Sequence, residues 1–137
     1  MKANLIRAAA LGFIAFLIAV VLIANRGEGG QWWPFLEHIP YGDKLGHIGL
    51  FGTLSFLCDL AFPGRRFGRR RLFITTTTIV LLTIISLEEL SQLFIPFRNF
   101  DILDWLADLI GLAAGQTAAD WCARLFRSAS ESKENTP

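Results

Sequence analysis

Four apolar blocks, at residues 8–24, 43–62, 72–96 and 102–123, fill most of this chain. A helix rises 1.5 Å per residue, so about 20 such residues cross a hydrocarbon core of about 30 Å. Backbone polar groups find no water there, and a helix satisfies them within a single segment. Composition agrees: 53% of residues are hydrophobic and 18% are charged, against about 25% charged in a soluble domain. The expected fold is an all-α membrane protein, a four-transmembrane-helix bundle over residues 1–127. A polar, disordered tail is expected at 128–137.

The connections support this division. Lys2 and Arg7 precede the first block. A cleaved signal peptide is the alternative reading, but the apolar run is too long and no small-x-small site precedes Asn25. Residues 25–41 carry Gly27, Gly29, Gly30, Pro34 and Pro40, too much punctuation for a long helix. Trp32, Trp33, Phe35 and Tyr41 make this stretch an interfacial anchor. Asp43 is the expected N-cap of the second helix, and Pro63-Gly64 its stop. The third helix is expected from Leu72, with Thr75 to Thr78 bonding back to its own carbonyls. A short turn at 97–100 makes helices three and four an antiparallel hairpin. Trp105 and Trp121 fall near the ends of the last block, about 24 Å apart, as interfacial belts require. Cys58 and Cys122 lack metal-type or CxxC neighbours and read as buried reduced thiols.

Orientation follows from the basic residues. Lys2, Arg7, Arg65, Arg66, Arg69, Arg70, Arg71, Arg124, Arg127 and Lys133 fall on one side of the four spans, and Arg26, Lys44 and Arg98 on the other. The positive-inside rule places both termini in the cytoplasm, with the arginine run against anionic lipid. The apolar blocks exclude a soluble nucleic-acid binder.

Against this background the ionisable residues stand out, because charge in hydrocarbon is costly. In the four-span topology, His47, Glu89, Gln92, Asp104 and Asp108 all fall about 5–10 Å below the outer surface. Asp43 or Lys44 shares a helical face with His47, and Glu89 shares one with Gln92. Asp101, Asp104, Asp108, Gly111 and Gly115 form one stripe, ending in a small-xxx-small pattern that permits close helix approach. The last helix should therefore pack tightly toward the cytoplasm and open on a polar pocket outside. Asp43, Glu88, Glu89, Asp101, Asp104 and Asp108 face two fixed bases, Lys44 and Arg98, for a formal charge of about −4 with His47 neutral. Protonation of some acids, a bound cation or a wet cluster would each relieve it. Asp101 and Asp43 read first as helix caps, Glu88 as a headgroup-facing acid, and Arg98 as a carboxylate partner that can also take phosphate.

The ordered pieces DKLGH (Asp43, Lys44, His47), EELSQLFIPFR (Glu89, Gln92, Pro96, Arg98) and DILDWLADLIGLAAG (Asp101, Asp104, Asp108, Gly111, Gly115) resemble the VanZ-like family of small bacterial integral membrane proteins. The resemblance covers residues 43–115. That family usually has asparagine where Asp108 stands and glycine where Phe97 stands. The resemblance implies a multi-pass membrane protein of the cell envelope. It also implies a link to antibiotic resistance, since the family's named member lowers susceptibility to the glycopeptide teicoplanin.

Two functions fit the cluster. The first is non-catalytic binding of a membrane lipid head group or lipid-linked cell-wall component. Asp43, Lys44, His47, Glu89, Gln92, Arg98, Asp101, Asp104 and Asp108 would line the site, with no cofactor beyond an optional divalent cation. The alternative is an intramembrane enzyme acting on a lipid-linked phosphate or sugar. There Glu89 or His47 is the general base, and a metal on Asp104 and Asp108 polarises the phosphate. No nucleophile beside an activating base is visible, which favours binding. A third, structural reading has acids and bases pairing only to assemble the bundle.

Overall fold

The computed structural model describes residues 2–27, 39–68, 73–96 and 98–134. The aromatic residues Trp32, Trp33 and Phe35, and the arginines Arg69, Arg70 and Arg71, lie outside them. Four α-helices occur among the described residues: α1 (Lys2–Asn25), α2 (Gly42–Ala61), α3 (Thr76–Ser91) and α4 (Ile102–Glu134). A short antiparallel pair, β1 (Arg66–Gly68) and β2 (Phe73–Thr75), joins α2 to α3, with Phe67 opposite Ile74.

Two helices, at Ala3–Asn25 and Thr76–Phe94, are long and apolar enough by composition to cross a membrane. Helices α2 and α4 carry more charge, because they hold the polar groups of the bundle.

The contacts fix the helix directions. Lys44 meets Asp104, His47 meets Asp108 and Ser55 meets Leu112, so α2 and α4 run parallel. Thr75 meets Gln116, Ser86 meets Trp105 and Glu89 meets Asp101, so α3 runs antiparallel to α4, as the short turn suggests. The α2–α4 contact is the most extensive of the fold. Its basis is glycine. A methyl on Gly111 would lie 2.7 Å from the Ile48 carbonyl oxygen and 3.0 Å from the Gly52 nitrogen. One on Gly115 would be driven into the Gly52 carbonyl oxygen. With the side chains gone the backbones touch, and Ser55 Oγ donates across the seam to the Leu112 carbonyl at 3.0 Å. The small-residue stripe is therefore the packing face of α4.

A cluster of Leu17, Leu54, Cys58, Leu81, Ile85 and Leu112 joins α1, α2, α3 and α4. Helix α1 contributes little to it. Only 6% of its apolar window is buried within the chain, and it packs on α2 rather than on α3. Cys58 is buried and Cys122 half-buried, and both are free thiols.

Several boundaries differ from the sequence reading. Helix α2 begins at Gly42 behind Tyr41, whose φ of 58° is left-handed. Asp43 lies inside the first turn and is not the N-cap. The third helix begins at Thr76 rather than Leu72, because Phe73, Ile74 and Thr75 pair with β1. Thr75 is its cap, accepting from the Thr78 N–H at 3.0 Å. The threonines that follow do not bond back to their own helix: Thr77 donates to the Phe62 carbonyl and Thr76 to the Arg65 carbonyl, tying α3 to the end of α2. Helix α4 runs past the expected end at Ala123 and on to Glu134, into the stretch read as a tail. Trp121 is exposed, whereas the Trp105 indole turns inward and donates to Ser86 Oγ at 3.0 Å.

Candidate functional site

Lys44 is the hub of the acidic end. It leaves the first turn of α2 and places Nζ 2.7 Å from Asp43 Oδ2, 2.6 Å from Asp101 Oδ2 and 2.7 Å from Asp104 Oδ1. The ammonium hydrogen-bonds to Asp43 and Asp101, while Asp104 Oδ1, buried and without a hydrogen-bond donor, faces it as an ion pair. Asp43 is the exposed member, with 59% of its side chain accessible, while Asp104 is as covered as Lys44 itself. Asp101 does two jobs. Its Oδ1 accepts the Leu103 N–H at 2.9 Å and caps α4, as expected, while Oδ2 takes Lys44. The Lys44 ammonium, with the Leu103 N–H, holds the Asp101 carboxyl below its ordinary range.

Beneath the hub lies a second pair. Asp108, one turn past Asp104, has 1% of its side chain exposed and meets His47 Nδ1 at 2.8 Å. His47 is one turn past Lys44, so the same two helical faces supply both pairs. A parallel α2–α4 contact with a glycine seam brings this repeat into register.

The end of α3 closes the cluster. Glu89 is 1% exposed and accepts from Gln92 Nε2 at 2.8 Å and from the Asp101 backbone N–H at 3.3 Å. The same Gln92 amide reaches Glu88 Oε2 at 3.2 Å. Glu88 Oε1 is buried without a hydrogen-bond partner, and Arg98 Nη2 lies 3.9 Å from it. All nine candidate residues thus gather at one end, in three connected groups: the Lys44 hub, the His47–Asp108 pair, and Glu89 with Gln92. Arg98 stands at the edge. Glu88, read from sequence as facing the headgroups, instead turns toward Gln92 and Arg98 and belongs to the set.

Asp104 and Asp108, the candidate metal ligands, are engaged by Lys44 and His47. Among the described residues no group of three or more His, Cys, Asp and Glu side chains is placed to hold a metal ion. No hydroxyl or thiol there hydrogen-bonds to His47 or Glu89. The His47–Asp108 pair has the geometry of an oriented base, and the nucleophile that would complete it is missing from the described neighbours.

A second polar cluster, at the opposite end, escaped the sequence reading. Asp59 Oδ1 accepts from Thr75 Oγ1 at 2.6 Å, and Oδ2 from Thr78 Oγ1 at 3.2 Å and Ser55 Oγ at 3.3 Å. Gln116 clasps β2, accepting from the Thr75 N–H at 3.1 Å and donating to the Phe73 carbonyl at 2.8 Å. Arg66 stacks on Phe73 and pairs with Asp120, which also holds Arg124. Every one of these groups is matched inside the chain, which makes this end a structural clasp. An acid one turn from a helix end, followed by four threonines, was the available signal.

A sequence model of the VanZ/LLP1 family matches residues 10–126, a span that holds all of the candidate site. No curated protein and no solved structure matches the chain.

Proposed function

The chain belongs to the VanZ/LLP1 family, and on that premise we propose that it is a multi-pass protein of the bacterial cytoplasmic membrane that binds an envelope ligand. The four helices span the bilayer, both termini are cytoplasmic, and the acidic end faces outward. The ligand is a lipid head group or a lipid-linked cell-wall component. Arg98 contacts its anionic part, and Glu88, Glu89, Gln92 and the Lys44 hub surround its hydroxyls. Tolerance of teicoplanin would follow from that contact with the cell-wall machinery.

One observation carries this reading. Two carboxylates from different helices, Glu89 and Asp108, are each 1% exposed at the same end of the bundle. Helix assembly alone would be served more cheaply by apolar packing. The test is a deletion strain profiled against teicoplanin and other envelope-targeting antibiotics. Glu89→Ala and Asp104→Ala, shown to insert normally, should fail to restore the wild-type profile. Full restoration would defeat the proposal.

The His47–Asp108 pair supports a second reading, an intramembrane enzyme with His47 or Glu89 as general base. Turnover of a lipid-linked phosphate by the purified protein, abolished in His47→Gln, would decide for it.

A further inference from the structure

A cavity of about 350 Å³ opens between α1, α2 and α3, within the size range of small-ligand pockets. Its walls are apolar, and His47, Glu88 and Arg98 stand at one end. The groove exists because α1 packs on α2 and makes no extensive contact with α3. On the α1 side it runs from Ala24 to Ile14, about 15 Å at the helical rise. That is half of a hydrocarbon core of about 30 Å, the depth of a single leaflet. Ile18 and Ile84 line the groove and are also 55% and 57% exposed, so it opens sideways between α1 and α3.

The polar end is chemically unfinished. The Arg98 side chain has 22% of its surface exposed, and its one ion pair among the described residues is the 3.9 Å approach to Glu88. That is beyond hydrogen-bond length, so among the described residues the guanidinium fork has donors to spare. Glu88 Oε1, buried and without a donor, is the complementary vacancy for a hydroxyl. A spare guanidinium selects an anion, an unsatisfied carboxylate oxygen selects an O–H, and the groove beneath them selects hydrocarbon.

Building on the envelope-ligand reading, we propose that this groove holds one hydrocarbon chain of an outer-leaflet lipid, entering sideways between α1 and α3. Its phosphate rests on Arg98, and a head-group hydroxyl donates to Glu88. The Lys44 ammonium, already ion-paired with Asp43, Asp101 and Asp104, takes no part in the phosphate contact. An arginine and a carboxylate oxygen at the head of an apolar groove one leaflet deep match the head and chain of one lipid, so the observations favour lipid over a second protein helix.

The test uses the full chain in phosphatidylcholine nanodiscs, with empty nanodiscs subtracted. Three probes are titrated: decanoyl lysophosphatidylglycerol, glycerol phosphate (head alone) and monodecanoylglycerol (chain with hydroxyls). The first should bind at least about tenfold more tightly than either of the others. Arg98→Gln and Ile84→Trp should each weaken it about tenfold or more, the second by filling the groove from its exposed side. Ile110→Trp, on an exposed part of α4 outside the groove, should leave it unchanged and so controls for folding. Glycerol phosphate binding as tightly as the lysolipid, with Ile84→Trp silent, overturns the groove and leaves the envelope-ligand reading standing. Monodecanoylglycerol binding as tightly as the lysolipid overturns the Arg98 assignment. Binding of no probe overturns this inference, while the reading beneath it stands or falls by the antibiotic profile of the deletion strain.

Discussion

Glu89, near the end of α3, accepts a hydrogen bond from the backbone N–H of Asp101, 3.3 Å away at the entry to α4. The contact spans the turn that joins the two helices. Asp101 in turn gives its carboxylate to Lys44 of α2, so one backbone position links three helices. Truncation at Glu89→Ala strands that N–H and leaves the Gln92 amide with only its 3.2 Å bond to Glu88. A loss of about 1–3 kcal/mol is expected in unfolding titrations of the purified protein. Glu89→Gln keeps an acceptor oxygen and should lose less than half as much. Equal losses would mean that charge, rather than the hydrogen bond, is what the site uses.

Asp108 and His47 should behave as a buried pair. His47→Ala leaves the Asp108 carboxyl without its 2.8 Å partner and should cost about 3 kcal/mol. Asp108→Asn retains an oxygen that can accept from the imidazole and should cost under about 1 kcal/mol. Asparagine is also what the family usually carries there. Thermal unfolding of the two variants side by side checks the ranking.

The glycine seam predicts a contrast between neighbouring positions. A methyl at Gly115 collides with the Gly52 carbonyl, whereas one at Gly49 meets nothing within 4 Å. Gly115→Ala should destabilise by about 1–3 kcal/mol, or block assembly outright. Gly49→Ala should be neutral, or stabilising by up to about 1 kcal/mol through helix propensity. Protein yield and melting temperature in detergent read out both.

Acid should loosen the entry to α4. The Asp101 carboxyl is held below its ordinary range by Lys44 and the Leu103 N–H. A lowered folded value means a contribution that is whole above the unfolded value of about 3.9 and disappears as pH falls through the folded value. Melting temperature should drop as pH is lowered from about 5 to 2. In Lys44→Gln that part of the drop should shrink, because Asp101 then titrates nearer its unfolded value. Superimposable acid limbs would remove Lys44 as the cause.

The candidate site was legible because helical spacing is strict. Lys44 and His47 share one face, as do Asp104 and Asp108, and register follows once α2 and α4 run parallel. The expected alternation of helix directions gave the common end. What could not be read depended on partners distant in sequence. The arginine-rich connection forms a strand pair because Arg66 finds Phe73 and Asp120, and because Gln116 of α4 clasps the β2 backbone. Thr75 looks like any helix-start threonine until Asp59 is known to lie 2.6 Å away. Glu88 turns inward because Gln92 and Arg98 wait there, whereas its apolar neighbour Leu87 is 62% exposed. Asp43 failed as a cap because Tyr41 adopts a left-handed turn, which side-chain type does not announce.

The parallel contact between α2 and α4 has a consequence for biosynthesis. Its two halves are separated in the chain by β1, β2 and the whole of α3, so no local hairpin can preassemble it. Chains emerge N-terminus first, and Lys44 and His47 of α2 must wait for Asp101, Asp104 and Asp108 until α4 leaves the ribosome. Its glycine face stays uncovered for the same interval. A nascent chain stalled anywhere before Gly115 therefore lacks its keystone, and α4 is the helix that closes the seam.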